Sequence, residues 1–483
     1  MILQLNHLQR NHAASSAQDV IGALYSLLEE GRLEQSQFAH LRVHLDWIQY
    51  RQNFRDAVTV TREPSEHGEI HPPIEMHVDT RQLVPDSLRE DILRAMIRAN
   101  PEPEGVEDRL FLEDFKTFRS SLVWDFNRLY WHRLPDWEEA TGRSYEQALP
   151  GGKSDANHPE AVADCVADFW TLLRDLENKN RLAPEIFALE IGVGMGVRSR
   201  IWLDRFRALD QERGTNYYPR LKFLLGDYSL STLERSRPAV REHLDLCSFI
   251  VLDAIDPTKT LSFLRHKLLH IHLTNVYDNL PDEEFARRDG RLHLVQVRAY
   301  IPSGESVRIA KAFELPAGEM SRTVNRLLES GPDYFSDRSR GVAFWQEIWK
   351  ALRLEERVVS LEDLPDVSLP AGLDPSHLED VLQEAPADFR FHLSSGALES
   401  FRSTLPLLHP RGFLQVQDIF VTDLNEYLLG FHGPGKLDGS IVNWVNGVLL
   451  REVGERAGYD VHFAPFRYRQ GSRTSILYTT QRE

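Results

Sequence analysis

The sequence is poor in cysteine and in long apolar stretches. Only Cys165 and Cys247 occur among 483 residues. Each has apolar neighbours, so we expect two buried, reduced thiols in a cytoplasmic protein rather than a disulfide framework. No run of about 18 apolar residues is present, which argues against a membrane-spanning helix. The beginning of the chain lacks a charged segment followed by an apolar one, so we expect no secretory signal.

Positive charge is also in short supply. The chain has 56 Lys and Arg against 73 Asp and Glu, which gives a formal net charge of -17. Nucleic-acid binding needs clustered positive charge, so this balance argues against nucleic acid as a partner. It permits a cationic partner, such as a protein that presents Arg or Lys side chains. The same excess of acid is also what solubility alone would produce.

The chain is too long for a single ordinary core, so we expect two or three packed units. Residues 1–120 are predicted to be a helical N-terminal region, because 17–33 and 37–58 carry apolar residues at three- and four-residue spacing. Within this region, Pro101 and Gly105 mark a break in the helical pattern.

From about residue 186 onward, short apolar runs alternate with helical patterns. Six of them are predicted to be buried strands, over residues 187–191, 221–225, 248–252, 269–273, 413–420 and 475–479. Strands that alternate with helices imply a largely parallel sheet covered on both faces. The predicted fold class is therefore α/β, with a Rossmann-like sheet divided between residues 121–301 and 387–483.

Residues 302–386 interrupt this alternation. They contain a helical piece over 342–352 and a Pro-rich linker over 364–375. Long excursions from a compact domain often cover a binding site, and open α/β sheets bind ligands at the carboxyl ends of their strands. We therefore predict an inserted lid that closes over the strand ends, together with the N-terminal helices, and selects the substrate.

A glycine-rich turn joins the first predicted strand to the next helix. Gly192, Gly194 and Gly196 follow Glu190. A dinucleotide-binding turn requires glycine at the sixth position, which is Val197 here. Alternate glycines after an acid are the pattern of class I methyltransferases, whose cofactor S-adenosylmethionine combines a methionine moiety with a nucleoside. The same pattern also occurs as a merely tight connection, so both interpretations stay open at this point.

Two further strand ends carry acids. Asp227 ends the second strand, with Tyr228 and Ser229 behind it, and such an acid can accept hydrogen bonds from both hydroxyls of a ribose. The alternative is an acid that complements a helix N-terminus. Asp253 and Ala254 follow the third strand, where an acid can meet the adenine amino group. Acids at successive strand ends favour the cofactor interpretation.

The fourth strand ends at Thr274, which completes the predicted cofactor site. In this fold that strand end lies beside the transferred methyl group. Asn275, Tyr277 and Asp278 are therefore the candidate catalytic residues, and the last two are expected to position or deprotonate the methyl acceptor. The alternative is that Tyr277 packs beneath the cofactor and Asp278 caps the following turn.

Four segments of the chain resemble, in the same order, motifs of the MidA family, which includes a mitochondrial arginine methyltransferase that assists complex I assembly. They are Asn-His-Pro-Glu at residues 157–160, the acid and glycines of 190–196, Asp-Tyr-Ser at 227–229 and Thr-Asn-Val-Tyr-Asp-Asn-Leu-Pro at 274–281, with a looser match at 438–444. The resemblance implies a class I methyltransferase fold, S-adenosylmethionine as cofactor and a protein side chain, arginine among the candidates, as acceptor.

The chain departs from the family at two positions of the last motif. The family has Asn where this chain has Thr274, and Glu where it has Asn275. A guanidinium substrate favours paired carboxylates. The predicted acceptor is accordingly a protein or peptide side chain or a small metabolite. The alternative from another functional class is an assembly or regulatory protein that binds S-adenosylmethionine without catalysis.

Two other groups of residues have weaker patterns. His40 and His44 lie four residues apart on a predicted helix, which suits a metal, but no third ligand is evident and no metal site is assigned. Tyr130, Trp131 and His132 either line the substrate entrance or belong to a core.

Overall fold

The computed structural model of the chain describes residues 1–5, 13–45, 52–62, 74–82, 85–99, 108–288, 290–316, 318–361, 369–370, 373–429 and 433–482. The predicted break at Pro101 and Gly105 lies outside these residues, as does most of the predicted linker over 364–375.

The strands are β1 (Ile2–Leu5), β2 (Leu41–Leu45), β3 (Val58–Arg62), β4 (Ile74–Val78), β5 (Arg109–Phe111), β6 (Lys116–Thr117), β7 (Ile186–Ile191), β8 (Leu221–Asp227), β9 (Cys247–Val251), β10 (Leu268–Thr274), β11 (Glu284–Arg288), β12 (Arg291–Pro302), β13 (Arg353–Ser360), β14 (Phe389–His392), β15 (Leu408–Asp418), β16 (Phe420–Val421), β17 (Gly435–Leu437), β18 (Ser440–Val442), β19 (Val445–Asn446), β20 (Tyr459–Pro465) and β21 (Ser475–Gln481).

The helices are α1 (Ala13–Glu29), α2 (Gln35–Ala39), α3 (Leu88–Arg98), α4 (Val123–His132), α5 (Leu134–Thr141), α6 (Tyr145–Ala148), α7 (Pro159–Asn178), α8 (Val197–Arg213), α9 (Leu230–Ser236), α10 (Thr258–Leu261), α11 (Ser303–Ala312), α12 (Met320–Ser330), α13 (Arg338–Ala351), α14 (Pro375–Gln383), α15 (Ser395–Thr404) and α16 (Gly447–Arg456).

The central sheet has seven strands in the order β20-β21-β15-β10-β7-β8-β9. All of them run parallel except β21, which pairs antiparallel with both of its neighbours. Chain order reverses between β7 and β10, and such a switch point opens a crevice at the carboxyl ends of the strands. The six predicted strands all form here, whereas β20 was not predicted.

Both faces of the central sheet are covered, as its apolar strands require. On one face, Phe169 of α7 and Trp202 of α8 belong to a core with β7 and β8. On the other face, Phe401 of α15 and Leu449 of α16 belong to a core with β10 and β15. The α/β fold with a Rossmann-like sheet is thus confirmed at the level of a mixed sheet between two helical layers.

The connection from β10 to β15 contains most of a second sheet, which is antiparallel. Its strands run β13-β12-β11-β14, and the short β5 and β6 pair with β12. Strands of this second sheet therefore flank the predicted excursion over residues 302–386, since β12 ends at Pro302 and β14 begins at Phe389. The predicted helix over 342–352 is confirmed within α13. Division of the chain into separate domains stays a prediction.

The prediction of an all-helical N-terminal region is wrong. A four-stranded sheet in the order β1-β2-β4-β3 forms there, with α1 and α3 packed on it. The predicted helix over 17–33 is confirmed in most of its length by α1, but the one over 37–58 is replaced after Ala39 by β2. The reason is that burial in β2 alternates residue by residue, which is the period of a strand.

Candidate functional site

The turn between β7 and α8 holds its three glycines in left-handed backbone conformations. Gly192, Gly194 and Gly196 have φ angles of 77°, 52° and 72°, a region that other residues rarely adopt. A Cβ at Gly192 would lie 2.6 Å from Val276 Cγ2, and one at Gly196 would lie 3.0 Å from the Ser236 carbonyl oxygen. A Cβ at Gly194 would meet no heavy atom within 4 Å. Gly194 therefore presents open backbone to the crevice, whereas the other two glycines allow close packing.

Glu190 ties the end of β7 to the start of α8. Its Oε2 accepts hydrogen bonds from Arg198 Nη1 at 3.1 Å and from Ser199 Oγ at 2.8 Å. Both Glu190 and Arg198 are buried. Removal of one partner from such an ion pair is strongly destabilising, because the remaining charge stays buried. Glu190 lines the crevice and also determines how the glycine turn is held.

Asp227 ends β8 directly beside the glycine turn. Its Oδ1 accepts a hydrogen bond from the Ser229 amide at 3.0 Å. Burial raises the pKa of the Asp227 carboxyl to about 6, although backbone amides of Ser229, Gly194 and Tyr228 act in the opposite direction. The hydrogen bond from Gly194 connects the two strand ends. A half-buried carboxylate in this position is an acceptor for donors that enter the crevice.

The two residues after Asp227 have different surroundings. Tyr228 is 44% exposed and its ring meets that of His132 edge to face, with centroids 6.0 Å apart. Ser229 is fully buried, and its Oγ accepts from the Thr232 amide as the N-cap of α9. It also donates to the His132 carbonyl at 3.3 Å. Tyr228 thus borders the crevice, whereas the buried Ser229 fixes the start of α9 next to it.

The ends of β9 and β10 complete this side. Asp253 is exposed, and its Oδ1 accepts from the Ile255 amide at 2.9 Å, with Ala254 between them. Thr274 Oγ1 lies 2.7 Å from Nε2 of the buried His272. These side chains and the glycine turn form what we call the strand-tip wall, which lies within residues 190–198, 227–232, 252–255 and 274–281.

Asn275 connects the strand-tip wall to the helices opposite. It adopts φ of 51°, and its amide donates to the Gln417 carbonyl at 3.0 Å. Its own carbonyl accepts from Asn279 Nδ2 at 3.3 Å. Asn279 in turn accepts from Asn127 Nδ2 at 2.8 Å and from Trp131 Nε1 at 3.1 Å.

Tyr277 and Asp278, the candidate groups for positioning or deprotonating the acceptor, do not line the cavity, and Tyr277 has the packed placement that the sequence left open as the alternative. Tyr277 is buried in the core beneath the sheet end, and its ring meets that of Phe420 edge to face. Asp278 is also buried. Oδ2 of Asp418, at the end of β15, accepts from the Tyr277 amide at 2.9 Å and from the Asp278 amide at 3.3 Å. This anchor folds the segment into a tight turn, so both side chains lie behind the crevice rather than on its wall.

Asp278 and Asp418 form a buried pair of carboxyls. Burial, and next the proximity of Asp418, raise the pKa of Asp278 well above its usual value. Burial raises the pKa of Asp418 to about 7. Tyr145 of α6 is close enough to both acids for them to raise the pKa of its hydroxyl, after burial as the main cause. Burial therefore favours the protonated form of both carboxyls, and Tyr145, which lines the cavity, is a neighbour of the pair.

The crevice is a cavity of about 500 Å³, the size of a small-molecule site. Nine predicted residues line it, namely Glu190, Gly192, Gly194, Asp227, Tyr228, Asp253, Ala254, Thr274 and Asn275. Its opposite side, the helical wall, comes from α4 to α6 and the segment after them; it comprises Trp124, Asn127, Arg128, Trp131, Leu134, Glu138, Ser144, Tyr145, Glu146, Leu149, Ser154, Ala156 and Asn157. Of the predicted aromatic group, Trp131 lines the cavity. Apart from Asn157, the remaining members of the helical wall had no distinctive motif in the sequence.

The predicted inserted lid, residues 302–386, contributes none of its described residues to the lining of this cavity. The wall residues fall between 124 and 281, and residues 302–386 lie outside that interval. Instead, Trp345 of α13 packs behind the helical wall, with its ring centroid 4.7 Å from that of Trp137 and 6.4 Å from that of Tyr130. Apolar residues of α13 are buried by α4 and α5, so the excursion supports the helical wall from outside.

Searches of family models and of curated proteins found no match to this chain. Among solved structures, an uncharacterized protein from Burkholderia thailandensis is 10% identical, with a TM-score of 0.44 over 76% of this chain and 87% of that one. A second protein of the same superfamily, from the same organism and bound to S-adenosyl-homocysteine, is 12% identical. Its match has a TM-score of 0.44 and covers 76% of this chain and 88% of that one. An O-methyltransferase family protein from the same organism is 10% identical, with a TM-score of 0.28 over 74% and 71%.

Within the described residues, no helix combines the length and the apolar character that are needed to cross a bilayer.

Proposed function

We propose that this chain is an S-adenosylmethionine-dependent methyltransferase. The observation that carries the proposal is the pairing of an open glycine turn with an acid at the neighbouring strand end. The backbone of Gly194 faces empty space, and its amide hydrogen-bonds to Asp227. Gly194 follows β7, which borders the topological switch point, and Asp227 ends the adjacent β8; open α/β sheets bind nucleotides at such a point.

The residues present fit this cofactor. Asp227 would accept hydrogen bonds from the ribose hydroxyls, because its carboxylate borders the cavity and is held in place by backbone amides. Asp253 and Ala254 would meet the adenine. Gly194 and Thr274 would border the methionine moiety. Val197 stands where a pyrophosphate-binding turn has its third glycine, which disfavours a nicotinamide dinucleotide.

The cofactor supplies an electrophilic methyl group, so the chain has to bind and orient the acceptor and exclude water. Orientation alone contributes about 7 to 11 kcal/mol in favourable systems. The helical wall is suited to this task. Trp124, Trp131 and Tyr145 give it an apolar, aromatic surface, while Asn127 is held by hydrogen bonds to Asn279 and the Ile441 amide.

The acceptor class is a protein or peptide side chain or a small metabolite. Two acids of the helical wall are already engaged: Glu138 accepts from Arg235 at 2.6 Å, and Glu146 accepts from Asn157 at 2.9 Å. Arginine stays among the candidates, but its recognition would depend on rearrangement of these acids, because Asn275 lacks a carboxylate. The buried Asp278–Asp418 pair would act through Tyr145 and is proposed as a positioning group.

Two measurements test the proposal. Calorimetry with S-adenosylmethionine and with NADH should give binding of the first only; the opposite result would refute it. Incubation of the protein with S-adenosylmethionine and host lysate or a metabolite pool should give a product with a 14-dalton gain, and methyl-labelled cofactor should place its label in the same product. If the protein bound S-adenosylmethionine but neither transferred the methyl group nor slowly converted the cofactor to S-adenosylhomocysteine, that result would instead support the non-catalytic assembly or regulatory protein.

A further inference from the structure

The N-terminal sheet carries two imidazoles and a carboxylate on one face. The apolar residues of β2 and β4 pack into the N-terminal core, so strand alternation places the intervening residues on the opposite face. The parallel register pairs His44 with His77 and Arg42 with Glu75. Two strands that are distant in sequence thus bring three potential metal ligands side by side, far along the chain from the glycine turn.

The three side chains converge closely. One ligand atom each of His44, Glu75 and His77 lies within 4.8 Å of the other two. The imidazole rings of His44 and His77 are stacked, with centroids 4.8 Å apart and planes inclined by 18°, and His44 Nε2 makes a short hydrogen bond to Glu75 Oε2. Glu75 and His77 are buried, whereas the side chain of His44 is 18% exposed. The cluster is therefore enclosed but reachable from solvent at His44.

We propose that His44, Glu75 and His77 bind a divalent transition-metal cation of the Zn²⁺ class. Two imidazole nitrogens and one carboxylate oxygen are a ligand set that such cations favour, whereas Mg²⁺ and Ca²⁺ prefer oxygen alone. Bonds of about 2.0 to 2.2 Å place the ligand atoms of a tetrahedral site roughly 3.4 Å apart. Side-chain rotations of about 1 Å that open the short His44–Glu75 contact and shorten the longer spacings would reach that distance.

Arg42 supports the same assignment. Its Nη1 lies 3.4 Å from Glu75 Oε1, so one carboxylate oxygen is oriented by a neighbour while Oε2 contacts His44. Outer contacts of this kind orient ligating carboxylates in metal sites. Among the described residues three side chains supply ligands, and water would take the fourth position of a tetrahedral site. The competing interpretation is a histidine–carboxylate hydrogen bond that needs no metal.

The test uses the full chain after treatment with EDTA and dialysis. Titration with Co²⁺ should produce visible ligand-field bands that saturate at one equivalent per chain, and Zn²⁺ should displace them. His77→Ala and Glu75→Gln should each weaken metal binding by about 100-fold or more. His40→Ala is the matched control, since His40 is an exposed histidine at the end of α2 outside the cluster, and it should bind Co²⁺ like the unaltered chain.

Chemical footprinting of the unaltered chain keeps the test decisive if the variants do not fold. Zn²⁺ should protect His44 and His77 from diethyl pyrocarbonate while His40 stays reactive, as mapped by mass spectrometry. Absence of ligand-field bands in the unaltered chain would overturn the proposal. So would Co²⁺ binding that His77→Ala leaves unchanged, or protection by Mg²⁺ equal to that by Zn²⁺. None of these readouts depends on methyl transfer.

Discussion

The two walls of the cavity are built in different ways. The strand-tip wall consists of short segments that directly follow β7, β8, β9 and β10, and its main groups are backbone amides, glycines and small acids. The helical wall consists of larger side chains on α4 to α6, held from behind by residues about 300 positions away. Asp438 accepts from Tyr130 at 3.0 Å and from Trp137 at 2.9 Å. We expect cofactor binding to belong to the strand-tip wall and acceptor binding to belong to the helical wall.

Gly194→Val is the strongest test of this division. A side chain there would enter the cavity, so S-adenosylmethionine binding should fall by more than about 100-fold, or roughly 3 kcal/mol. Gly214→Val is the matched control, because Gly214 has φ of 65°, also has no heavy atom within 4 Å of an added Cβ, and lies at the far end of α8. Both variants should lose about 1 to 2 kcal/mol of stability from backbone strain. Equal binding by both would place the cofactor elsewhere.

Asp227→Asn should weaken S-adenosylmethionine binding by about 2 to 3 kcal/mol, as expected when charge-assisted hydrogen bonds are lost. Calorimetry across pH gives a second readout. The pKa of Asp227 is raised to about 6, and a proton competes with the ribose hydroxyls for the carboxylate. Affinity should therefore be full at pH 8 and decline as the pH falls below about 6, whereas Asp227→Asn should lack this decline.

Although Asp227→Asn should weaken cofactor binding, it should increase the stability of the ligand-free protein. Because the folded pKa of Asp227 lies above the value in the unfolded chain, the folded protein binds more protons, and the charged carboxyl opposes folding above about pH 6. Asp227→Asn should therefore raise the unfolding temperature at pH 8 and have less effect at pH 4. An unchanged affinity together with a lowered unfolding temperature would show that Asp227 only complements the N-terminus of α9.

Asp438→Asn should act on the helical wall alone. The side chain of Asp438 is 2% exposed and accepts from Tyr130, Trp137 and the exposed Arg143. Asparagine tolerates its φ of 56°, so the substitution removes charge without backbone strain. The free energy of unfolding should fall by about 1 to 2 kcal/mol while the dissociation constant for S-adenosylmethionine stays the same. Asp245→Asn, at an exposed position, should change neither quantity.

Tyr145→Phe should have the smallest effect. Tyr145 lines the cavity and is close to the Asp278–Asp418 pair, so loss of its hydroxyl should slow labelling of the acceptor by about tenfold, or 1.4 kcal/mol, without altering cofactor affinity. Tyr334→Phe removes a hydroxyl from an exposed tyrosine and should leave labelling unchanged. If Tyr145→Phe weakened cofactor binding instead, the division between the two walls would fail.

Local patterns were sufficient for the strand-tip wall. The glycines before α8 and the acid at the end of β8 lie at or within a few residues of their strand ends, so strand periodicity places them. Sequence patterns gave a wrong prediction over residues 37–58, where the spacing of apolar residues fits the period of a helix. The structure has β2 in this range, and burial there alternates residue by residue, with the period of a strand. Sequence patterns left the placement of Tyr277 and Asp278 open, since the amides that turn this segment inward are bound by Asp418, which lies on a different strand.

The sequence by itself determined the α/β sheet, the order of its strand ends along the chain and the glycine turn beside Asp227. These features depend on steric preferences and burial periods within a few residues. Tertiary structure alone decided that α4 to α6, rather than residues 302–386, face the strand ends, and that His77 rather than His40 stands beside His44. Both outcomes depend on which distant segments pack together, and that choice is made by the free energy of burying whole elements against one another.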